Sequence, residues 1–485
     1  MATITSAGIG SGLDVNSIVT QLLAIERQPL AALERQETKL TTKLSEFGKM
    51  QGMVSAMRDK ASALSSSTLW GRTTGASADA AVTISTATGA AVGAYAVQVQ
   101  QLATAQTVSS RRFNDADPAL FGAGTLTIEL GAYTGSPTIS GFAAKAGATA
   151  VTVTLGAEDD TLAEVRDKIN AANAGVTATV INDANGARLA IRSKDSGAEN
   201  GFRITAAETS DDGVAANGLS ALAFDALAAS PATLNQRAVN ALATINGIDV
   251  ESASNTLANV SDGVTLKLVK TTTAPVEVTV AADSAGVKTA VEDFVKAYNE
   301  LANYIRTQTR FDEANQRGGP MQGDSLVLGM QRQMRAVLND PSSASSVFGR
   351  LSDIGLSLQR DGTLEIRASA LDNGLANMGE LQKLFATNGT TNADSGFMRR
   401  FKELGDVLLG PEGAFDTRKT TLQASIDRNE DRQDQMQARL DSTERRLRAQ
   451  YTALDRNMGQ LNGLSSAVTQ QMQALNNFYN ARNNA

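Results

Sequence analysis

The sequence contains 485 residues, 42% of them hydrophobic and only 4% aromatic, and carries a formal net charge of −7. A chain of this length is expected to form about three domains. It has no histidine and no cysteine, which excludes Ser-His-Asp and Cys-His nucleophile systems, imidazole or thiolate zinc sites, and disulfides.

These absences predict a structural protein rather than an enzyme. The commonest proton shuttle near neutral pH is missing, so we predict no catalytic activity and no cofactor. Lys and Arg are spread along an acidic chain, which predicts no binding to nucleic acid. No stretch approaches the ~20 apolar residues of a membrane span, and residues 1–11 lack basic residues and an apolar core. We therefore predict neither membrane insertion nor a Sec-type signal peptide.

The first element in the chain is an amphipathic helix. After a glycine-rich lead at residues 8–13, Asp14 is predicted to be its N-cap. Pro29 is predicted to kink or restart the helix. Apolar residues line one face before and after that proline at three- and four-residue steps, with Glu37 the only charge in register: Ile18, Val19, Leu22, Leu23 and Ile25, then Leu33, Leu40, Leu44, Phe47, Met50, Val54, Met57 and Leu64.

The middle of the chain changes to a period of two, which is typical of half-buried antiparallel strands. Asn-Gly and Asp-Gly dipeptides predict hairpin turns at 185–186, 246–247, 262–263 and 361–362. One short helix is predicted from Thr161, where Glu164 completes a capping box. Ala/Gly/Ser/Thr-rich loops are predicted at 74–91, 131–150 and 206–232. The alternating strands contain Tyr95, Val97, Val99, Leu126, Ile128, Leu130, Val151, Val153, Leu155, Val264, Leu266, Leu268, Val276, Val278 and Val280.

The helical period returns at residue 285 and is strongest at the C-terminal end. Asp324 is predicted to cap a helix that extends through Leu338. From Leu422 to Tyr479, alternating steps of four and three residues give seventeen positions, with one stutter at Tyr451. Thirteen of these positions are apolar, which predicts a coiled coil or a long helical bundle. The four exceptions are Asn429, Gln433, Thr443 and Ser465.

Together these patterns predict a multidomain α+β protein. Its long terminal helices form a coiled-coil or helical-bundle leg, and antiparallel β-rich head domains are inserted between them. The predicted segments are a leg helix at 1–45, the two halves of a helical stalk at 46–92 and 285–435, the two parts of a β-rich head domain at 93–125 and 236–284, an inserted outer head domain at 126–235, and a second leg helix at 436–485.

We predict that the two terminal helices meet side by side and form an assembly seam between copies of the chain. Because a helix this long exceeds any domain of this size, part of its apolar stripe must face helices outside the chain's own core. The outermost turns, before Pro29 and after about Leu461, are predicted to be frayed in the monomer. A helical bundle within one chain is the alternative. The predicted seam residues are Ile18, Leu22, Leu33, Leu40, Leu44, Phe47, Leu440, Leu447, Tyr451, Leu454, Met458, Leu461, Val468, Met472 and Leu475.

Three polar clusters resemble metal or acid sites only superficially. Residues 158–160 directly precede the predicted capping box, where carboxylates favour the helix dipole. Asp312 and Glu313 lack the ligand spacing of a calcium loop, and residues 182–186 lack the bidentate Glu at position twelve. We predict no metal site and no catalytic residue.

Several segments resemble the bacterial flagellar filament cap family of hook-associated proteins. They are residues 8–14 with 18–30, which include Glu26-Arg27-Gln28-Pro29-Leu30; residues 244–250 with 254–256 and 263–266; residues 291–301; and residues 353–355 with 361–364. Residues 150–205 are similar to a small βαβ-type insert shared with flagellin and hook proteins. The segments keep the family order, and residues 106–232 resemble the family least.

The resemblance implies a function at the distal tip of the flagellar filament. Members of this family leave the cell through the flagellar type III secretion apparatus, with an export chaperone, and assemble as a homo-oligomeric ring of five or six copies. The ring retains exported flagellin and promotes its folding and insertion. Some members bind host mucin. The alternatives are another flagellar axial protein, flagellin-like or from the hook–filament junction, and a surface adhesin that uses residues 106–232.

Overall fold

The computed structural model describes residues 14–114, 121–313 and 316–483, with side chains up to residue 477. The predicted glycine-rich lead at 8–13 therefore lies outside the described residues. The helices are α1 (Val15–Glu26), α2 (Gln28–Leu64), α3 (Ser67–Trp70), α4 (Leu162–Ala171), α5 (Ser284–Thr309), α6 (Ser325–Asn339), α7 (Ala368–Leu375), α8 (Met378–Ala386), α9 (Phe397–Leu409) and α10 (Ala414–Asn483).

The strands alternate with short turns through the middle of the chain. They are β1 (Thr73–Ser77), β2 (Val82–Thr86), β3 (Gly93–Gln101), β4 (Thr107–Ser109), β5 (Gly124–Thr134), β6 (Gly141–Ala144), β7 (Val151–Leu155), β8 (Val176–Asp183), β9 (Gly186–Ser193), β10 (Gly201–Glu208), β11 (Thr233–Gln236), β12 (Ala241–Ile245), β13 (Ile248–Ser252), β14 (Thr256–Ser261), β15 (Val264–Leu268), β16 (Val276–Ala282), β17 (Phe311–Asp312), β18 (Arg317–Gly318), β19 (Leu356–Leu358) and β20 (Leu364–Ile366).

The first structural unit is helical and is formed by both ends of the chain. It contains the described residues of Met1–Ser66 and Ala285–Ala485. In α2, the buried residues Met50, Val54, Met57, Ala61 and Leu64 recur at helical spacing and form one face. Helix α2 packs against α9 and α10. Helices α5 and α9 meet through the rings of Phe294 and Phe401, which lie 5.1 Å apart. The predicted α+β multidomain fold with helical ends is confirmed.

The helix starts in this unit follow the predicted signals. Asp14 caps α1 by accepting a hydrogen bond from the backbone N–H of Ser17 at 3.0 Å. Helix α2 begins at Gln28 with Pro29 in its first turn, where a missing N–H leaves no hydrogen bond unmade. Asp324 caps α6 by accepting from the N–H of Leu326 at 3.1 Å. The predicted caps and the predicted restart at Pro29 are confirmed.

The second structural unit, Ser67–Ser284, contains two β-rich cores. One core lies between a five-stranded sheet, ordered β1-β16-β3-β12-β13, and a three-stranded sheet, β14-β15-β2. The other lies between a sheet ordered β10-β5-β6, in which β7 also pairs with β5, and a sheet ordered β11-β4-β9-β8, with α4 packed against β8. Every strand pair among the described residues of this unit is antiparallel, as the alternating pattern predicts.

Turn chemistry explains the hairpins of this unit. Asn246 and Gly247, between β12 and β13, have φ values of 52° and 81°, which a two-residue type I′ turn requires at both positions. The two residues Ala184 and Asn185 connect β8 to β9, and Gly186, with a φ of 121°, begins β9 opposite Asp183. Thr161 and Glu164 exchange hydrogen bonds at the start of α4 and form the predicted capping box. These three sequence predictions are confirmed.

Three predictions about this unit are wrong. The supposed loops at 74–91 and 131–150 contain β1, β2 and β6, and the one at 206–232 includes the end of β10. The strands in these segments are rich in small residues, and hydrogen bonds to partner strands, rather than large apolar side chains, hold them in the sheets. The sequence pattern therefore does not reveal them. The predicted stalk segment 46–92 leaves the helical unit after Ser66. The outer core begins before residue 126, because Val108, Phe113 and Phe121 are buried in it.

The segment predicted to resemble a βαβ-type insert contains β7, α4 and β8 in that order, but its two strands do not pair with each other. Strand β7 pairs with β5, whereas β8 pairs with β9 in the other sheet. Helix α4 therefore connects two antiparallel sheets. Asn170 of α4 fixes this connection, because its side chain accepts a hydrogen bond from the N–H of Ala178 on β8 and donates one to the carbonyl of the same residue, at 2.8 and 3.0 Å.

Candidate assembly site on the terminal helices

The two ends of the chain pair as antiparallel helices. Phe47 of α2 meets Phe415 near the start of α10, with ring centroids 6.4 Å apart in an edge-to-face arrangement. Farther along, the carbonyl of Leu33 accepts a hydrogen bond from Asn429 at 2.9 Å. Near the start of α1, Asn16 accepts one from Arg448 at 3.1 Å. As residue numbers fall along α1 and α2 they rise along α10, so one continuous antiparallel pair spans these contacts.

Two of the polar exceptions in the C-terminal register are contacts between the helices. Nδ2 of Asn429 reaches the Leu33 carbonyl, and Nε2 of Gln433 lies 2.5 Å from Oε2 of Glu37. Asn429 is 3% exposed, and its Oδ1 has no hydrogen-bond partner in the described part of the chain. Glu37 is the single charge in the predicted N-terminal register, so the exceptions of the two stripes meet each other. A polar residue at a core position of paired helices fixes their register.

Helix α1 covers α10 with a row of residues at four-residue spacing. Val15, Val19 and Leu23 are buried and pack against Leu447 and Tyr451 of α10. The predicted seam residues Ile18 and Leu22 lie beside this row and are half-buried. Ile25, predicted on the same face, is 64% exposed. That prediction is wrong because a step of two residues after Leu23 turns the side chain to the other side of the helix.

The predicted seam residues fall into three groups along the pair. Phe47 and Leu440 are buried. Half-buried residues lie along the α1–α10 and α2–α10 contacts, with Met458 just beyond them. The exposed residues all lie after Tyr451, beyond the level that α1 covers. The structure thus brings together the first two groups and leaves the third uncovered. Half-buried are Ile18, Leu22, Leu33, Leu40, Leu44, Leu447, Tyr451 and Met458; exposed are Leu454, Leu461, Val468, Met472 and Leu475.

Helix α10 continues past Tyr451 with a stripe of exposed apolar side chains. We define this apolar stripe as Leu454, Leu461, Leu464, Val468, Met472 and Leu475, whose exposed fractions range from 44% to 68%. Four of the six recur at intervals of seven residues, the repeat of a coiled-coil seam. The same segment contains Gly463, whose added Cβ would meet no atom within 4 Å. The stripe has the pattern of a buried helix face but remains in contact with water.

Polar side chains connect the helices of the helical unit. Tyr304 of α5 donates a hydrogen bond to the carboxylate of Glu46, and Lys49 lies 2.8 Å from that carboxylate. The hydrogen bond from Lys49, followed by that from Tyr304, lowers the pKa of Glu46, while burial and then the Glu46 carboxylate raise the pKa of Tyr304. Arg418 of α10 pairs with the buried Asp324 at 2.5 Å.

The acidic clusters of the sequence have structural partners. Asp159 accepts a hydrogen bond from the N–H of Gly156 at 2.8 Å and lies 3.1 Å from Lys168, and the Gly156 hydrogen bond is the main cause that lowers its pKa. Residues 182–186 form the β8–β9 turn, and Asp312 pairs with Arg317 in the β17–β18 ladder. Within the described ranges, no group of three or more acidic side chains is placed to hold a metal ion. No helix in those ranges is long and apolar enough to cross a membrane.

Comparison with known families defines the class to which this architecture belongs. The profile described as "Flagellar hook-associated protein 2 C-terminus" matches residues 238–463, and the corresponding "N-terminus" profile matches residues 11–106. A "Flagellin hook IN motif" matches residues 127–195, which overlap the segment predicted to resemble flagellin and hook proteins. The paired terminal helices and the inserted β domains are those of a flagellar hook-associated protein.

Individual relatives narrow the assignment. The B-type flagellar hook-associated protein 2 of Pseudomonas aeruginosa is 32% identical over 441 residues, which cover 87% of each chain. The flagellar hook-associated protein 2 of Escherichia coli is 30% identical over 387 residues, covering 77% of this chain and 78% of that one. The crystal structure of the flagellar cap protein FliD D1-D2-D3 domains from Escherichia coli superposes with a TM-score of 0.57 at 27% identity, over 78% of this chain and 99% of that one. The chain belongs to the flagellar hook-associated protein 2 (FliD) family, and the predicted resemblance is confirmed.

Proposed function

We propose that this protein is the structural cap at the distal tip of the bacterial flagellar filament. Several copies form a ring that retains exported flagellin and promotes its folding and insertion as the filament grows. The ring contains five or six copies. Family membership supports the cap function, and the protein's work is assembly rather than catalysis.

The observation that carries this proposal is the uncovered apolar stripe of α10. At ~25 cal/mol per Å² of apolar surface, burying each of these half- to two-thirds-exposed side chains stabilises an assembly by ~1–2 kcal/mol. Six such residues on one face form an exposed apolar patch of the kind that marks a protein–protein interface. The predicted assembly seam thus divides into two parts. Residues up to Tyr451 hold the leg of each chain together, and those beyond it engage neighbouring chains and the filament end.

The location and the remaining partners follow from the cap function. The chain is secreted through the flagellar type III secretion apparatus with the help of an export chaperone, and it acts outside the cell at the filament tip. Its partners are further copies of itself, flagellin and the end of the filament. Binding of host mucin would belong to the outer β-rich core around β5 and β8.

A substitution series on the stripe tests the proposal. The variant Leu461→Gln, Val468→Gln, Leu475→Gln keeps good helix formers but removes three apolar contacts. The matched control, Ser466→Gln, Gln470→Ser, Asn477→Gln, changes three exposed positions on the opposite face of the same segment. Each is introduced into a strain that lacks the protein, and unpolymerised flagellin in the medium and filament length are measured.

The stripe variant is expected to shed flagellin into the medium, like the strain without the protein, whereas the control restores filaments of normal length. Full filament growth with the stripe variant would show that the stripe is not the assembling surface. If the unaltered protein itself fails to reduce flagellin shedding, the cap function is refuted.

A further inference from the structure

The exposed charges of the leg formed by α2 and α10 are sorted by sign. Between residues 427 and 446 of α10, acidic and basic side chains each recur at helical spacing. Helix α2 adds three basic ones beside the start of this segment and the turns before it. All are exposed except Lys43, which is half-buried. The acidic set is Asp427, Glu430, Asp431, Asp434 and Asp441; the basic set is Arg428, Arg432, Arg439 and Arg446 of α10 with Arg35, Lys39 and Lys43 of α2.

Helix geometry places the two sets on opposite sides of the leg. Viewed from the start of α2, its residues turn clockwise by about 100° each, and those of the antiparallel α10 turn counter-clockwise. The packing stripes of α2 and α10 point toward each other. The basic residues of α2 and the acidic residues of α10 each lie about 120° counter-clockwise from their own stripe. Because the two stripes point in opposite directions, equal rotations in the same sense bring the basic residues of α2 and the acidic residues of α10 to opposite sides of the leg.

The arginines of α10 complete one of these flanks. They lie about 100° clockwise from the α10 stripe, which is the side that carries Arg35, Lys39 and Lys43. We call this side the basic flank and the opposite side the acidic flank. Among the charged residues from 427 to 446, Glu444 lies toward the acidic flank. The one exception to the segregation is Arg445, which lies at the end of the acidic flank. On α10 the acidic set spans about 21 Å and the basic set about 27 Å, and the two stretches overlap over almost all of the shorter one.

This arrangement opposes the stability of the isolated helix. Asp427 and Asp431 are like charges four residues apart, as are Glu430 with Asp434 and Arg428 with Arg432, and such pairs repel each other on a helix. Elsewhere in the helical unit the same spacing carries opposite charges, as in the pairs Arg399–Glu403, Lys402–Asp406 and Arg448–Glu444. In the described part of the chain, no side chain of the acidic or the basic set takes part in an ion pair within 4.0 Å.

We propose that the acidic flank of one chain docks against the basic flank of the next copy, and that this contact sets the head-to-tail order of the ring. The inference rests on the proposed ring-forming function. Two different, complementary surfaces on one chain make a heterologous contact, which closes into a ring, whereas a two-fold contact would place like charges together. Because the acidic and basic sets of α10 are level with each other on one helix, neighbouring legs stand side by side without a shift along the axis. Complementary charges also suppress the reversed orientation.

Charge reversal of each flank tests this contact. The acid-reversed variant is Asp427→Lys, Asp431→Lys, Asp434→Lys, and the base-reversed variant is Arg428→Glu, Arg432→Glu, Arg439→Glu. A swapped variant carries both sets. The control, Glu292→Lys, Glu300→Lys, Glu313→Lys, reverses three exposed acids elsewhere in the helical unit. The number of chains per particle is measured on full-length protein by native mass spectrometry and light scattering over a concentration series, and helicity by circular dichroism.

Each single-flank variant is expected to raise the concentration for half-maximal assembly by about tenfold or more, since several ion pairs become repulsive together. The swapped variant, which again carries one flank of each sign, is expected to assemble like the unaltered chain. Assembly of the unaltered chain should weaken as salt rises. The control should change none of these values.

Normal rings from the acid-reversed chain, or a folded swapped variant that fails to assemble, would overturn the inference. Neither result would affect the cap function, which is judged by flagellin retention with the unaltered protein. Failure of the unaltered protein to form rings would instead refute both.

Discussion

Asn429 of α10 donates a hydrogen bond at 2.9 Å to the backbone carbonyl of Leu33 of α2, across 396 positions of the sequence. The contact lies in the middle of the apolar seam, where Asn429 is buried and its Oδ1 has no partner in the described residues. Such a residue lowers the stability of the helix pair while restricting its register, because only one alignment places the amide beside a carbonyl.

Substitution at this position should separate stability from register. Asn429→Leu removes the unsatisfied Oδ1 and fills similar volume, so the free energy of unfolding should rise by about 1 kcal/mol. Asn429→Ala leaves a gap and should lower it by about 1 kcal/mol. Urea unfolding followed by the helical circular dichroism signal measures both variants. A leucine variant that unfolds at lower urea than the unaltered chain would contradict this account.

The hydrogen bond between Tyr304 and Glu46 should make stability depend on pH. Because the pKa of Glu46 is lowered from its ordinary 4.5, its contribution is present above that value and is lost as the pH falls through the lower folded-state pKa. Tyr304→Phe should reduce the free energy of unfolding by about 1–2 kcal/mol at pH 7 and by less at pH 3. Urea unfolding at both pH values measures the difference.

Tyr298→Phe provides the control for this pH dependence. Tyr298 is buried in the same helical unit and burial raises its pKa to about 12, so its hydroxyl stays neutral between pH 3 and pH 7. The Tyr298→Phe variant should therefore show the same stability change at both pH values. If the Tyr304→Phe effect is also constant with pH, the phenol does not act through the Glu46 carboxylate.

Gly405 of α9 leaves no room for a side chain against Arg58 of α2. A Cβ at this position would lie 2.6 Å from Cβ of Arg58 and 2.7 Å from its Cγ. Gly405→Ala should therefore separate the helices and lower the free energy of unfolding by about 1–3 kcal/mol. Gly48→Ala on α2, where nothing lies within 4 Å of the added Cβ, should raise it by up to about 1 kcal/mol. Equal effects of the two variants in thermal unfolding would rule out close packing as the cause.

The end of α10 should be the least stable part of the helix pair before assembly. The turns past Leu461 are predicted to be frayed in the monomer, since an uncovered apolar helix gains little from its own hydrogen bonds in water. Gly463→Ala adds no clash and should slow amide hydrogen exchange of neighbouring residues in the monomer by about fivefold, which corresponds to ~1 kcal/mol. Exchange as slow as that of the α2 core in the unaltered monomer would refute the predicted fraying.

Periodicity in the sequence identified the helix faces but not their partners. The Leu422–Tyr479 pattern predicts a long paired helix, yet it treats Asn429 and Gln433 as flaws, although both are contacts to α2. A search for complementary polar residues in two seams, such as Glu37 and Gln433, would have found them. The sequence pattern identifies the buried row Val15, Val19 and Leu23 only in part, because the half-buried Ile18 and Leu22 fit the same helical spacing.

The β-rich unit was predictable where large side chains alternate and unpredictable where they do not. Val97, Val99, Val278 and Val280 reveal β3 and β16 because one face of each strand is buried. Strand β1 has no such face. It is held by its backbone ladder to β16, from Thr73 beside Ala282 to Ser77 beside Val278. Pairing between residues some 200 positions apart leaves no local pattern in the sequence.

The origin of the helical unit from both ends of the chain determines when it can form. The unit Ser67–Ser284 contains all the partners of its own strands, so it can fold before the later part of the chain is present. Helix α1 and the first part of α2 pair with α10, the last helix in the chain, and cannot complete the leg before its seventy residues are present. An interrupted chain that stops before Ala414 can thus present intact β domains but no finished leg. Only a complete chain can therefore form the leg and join a ring, so incomplete chains are excluded from assembly without a separate quality-control step.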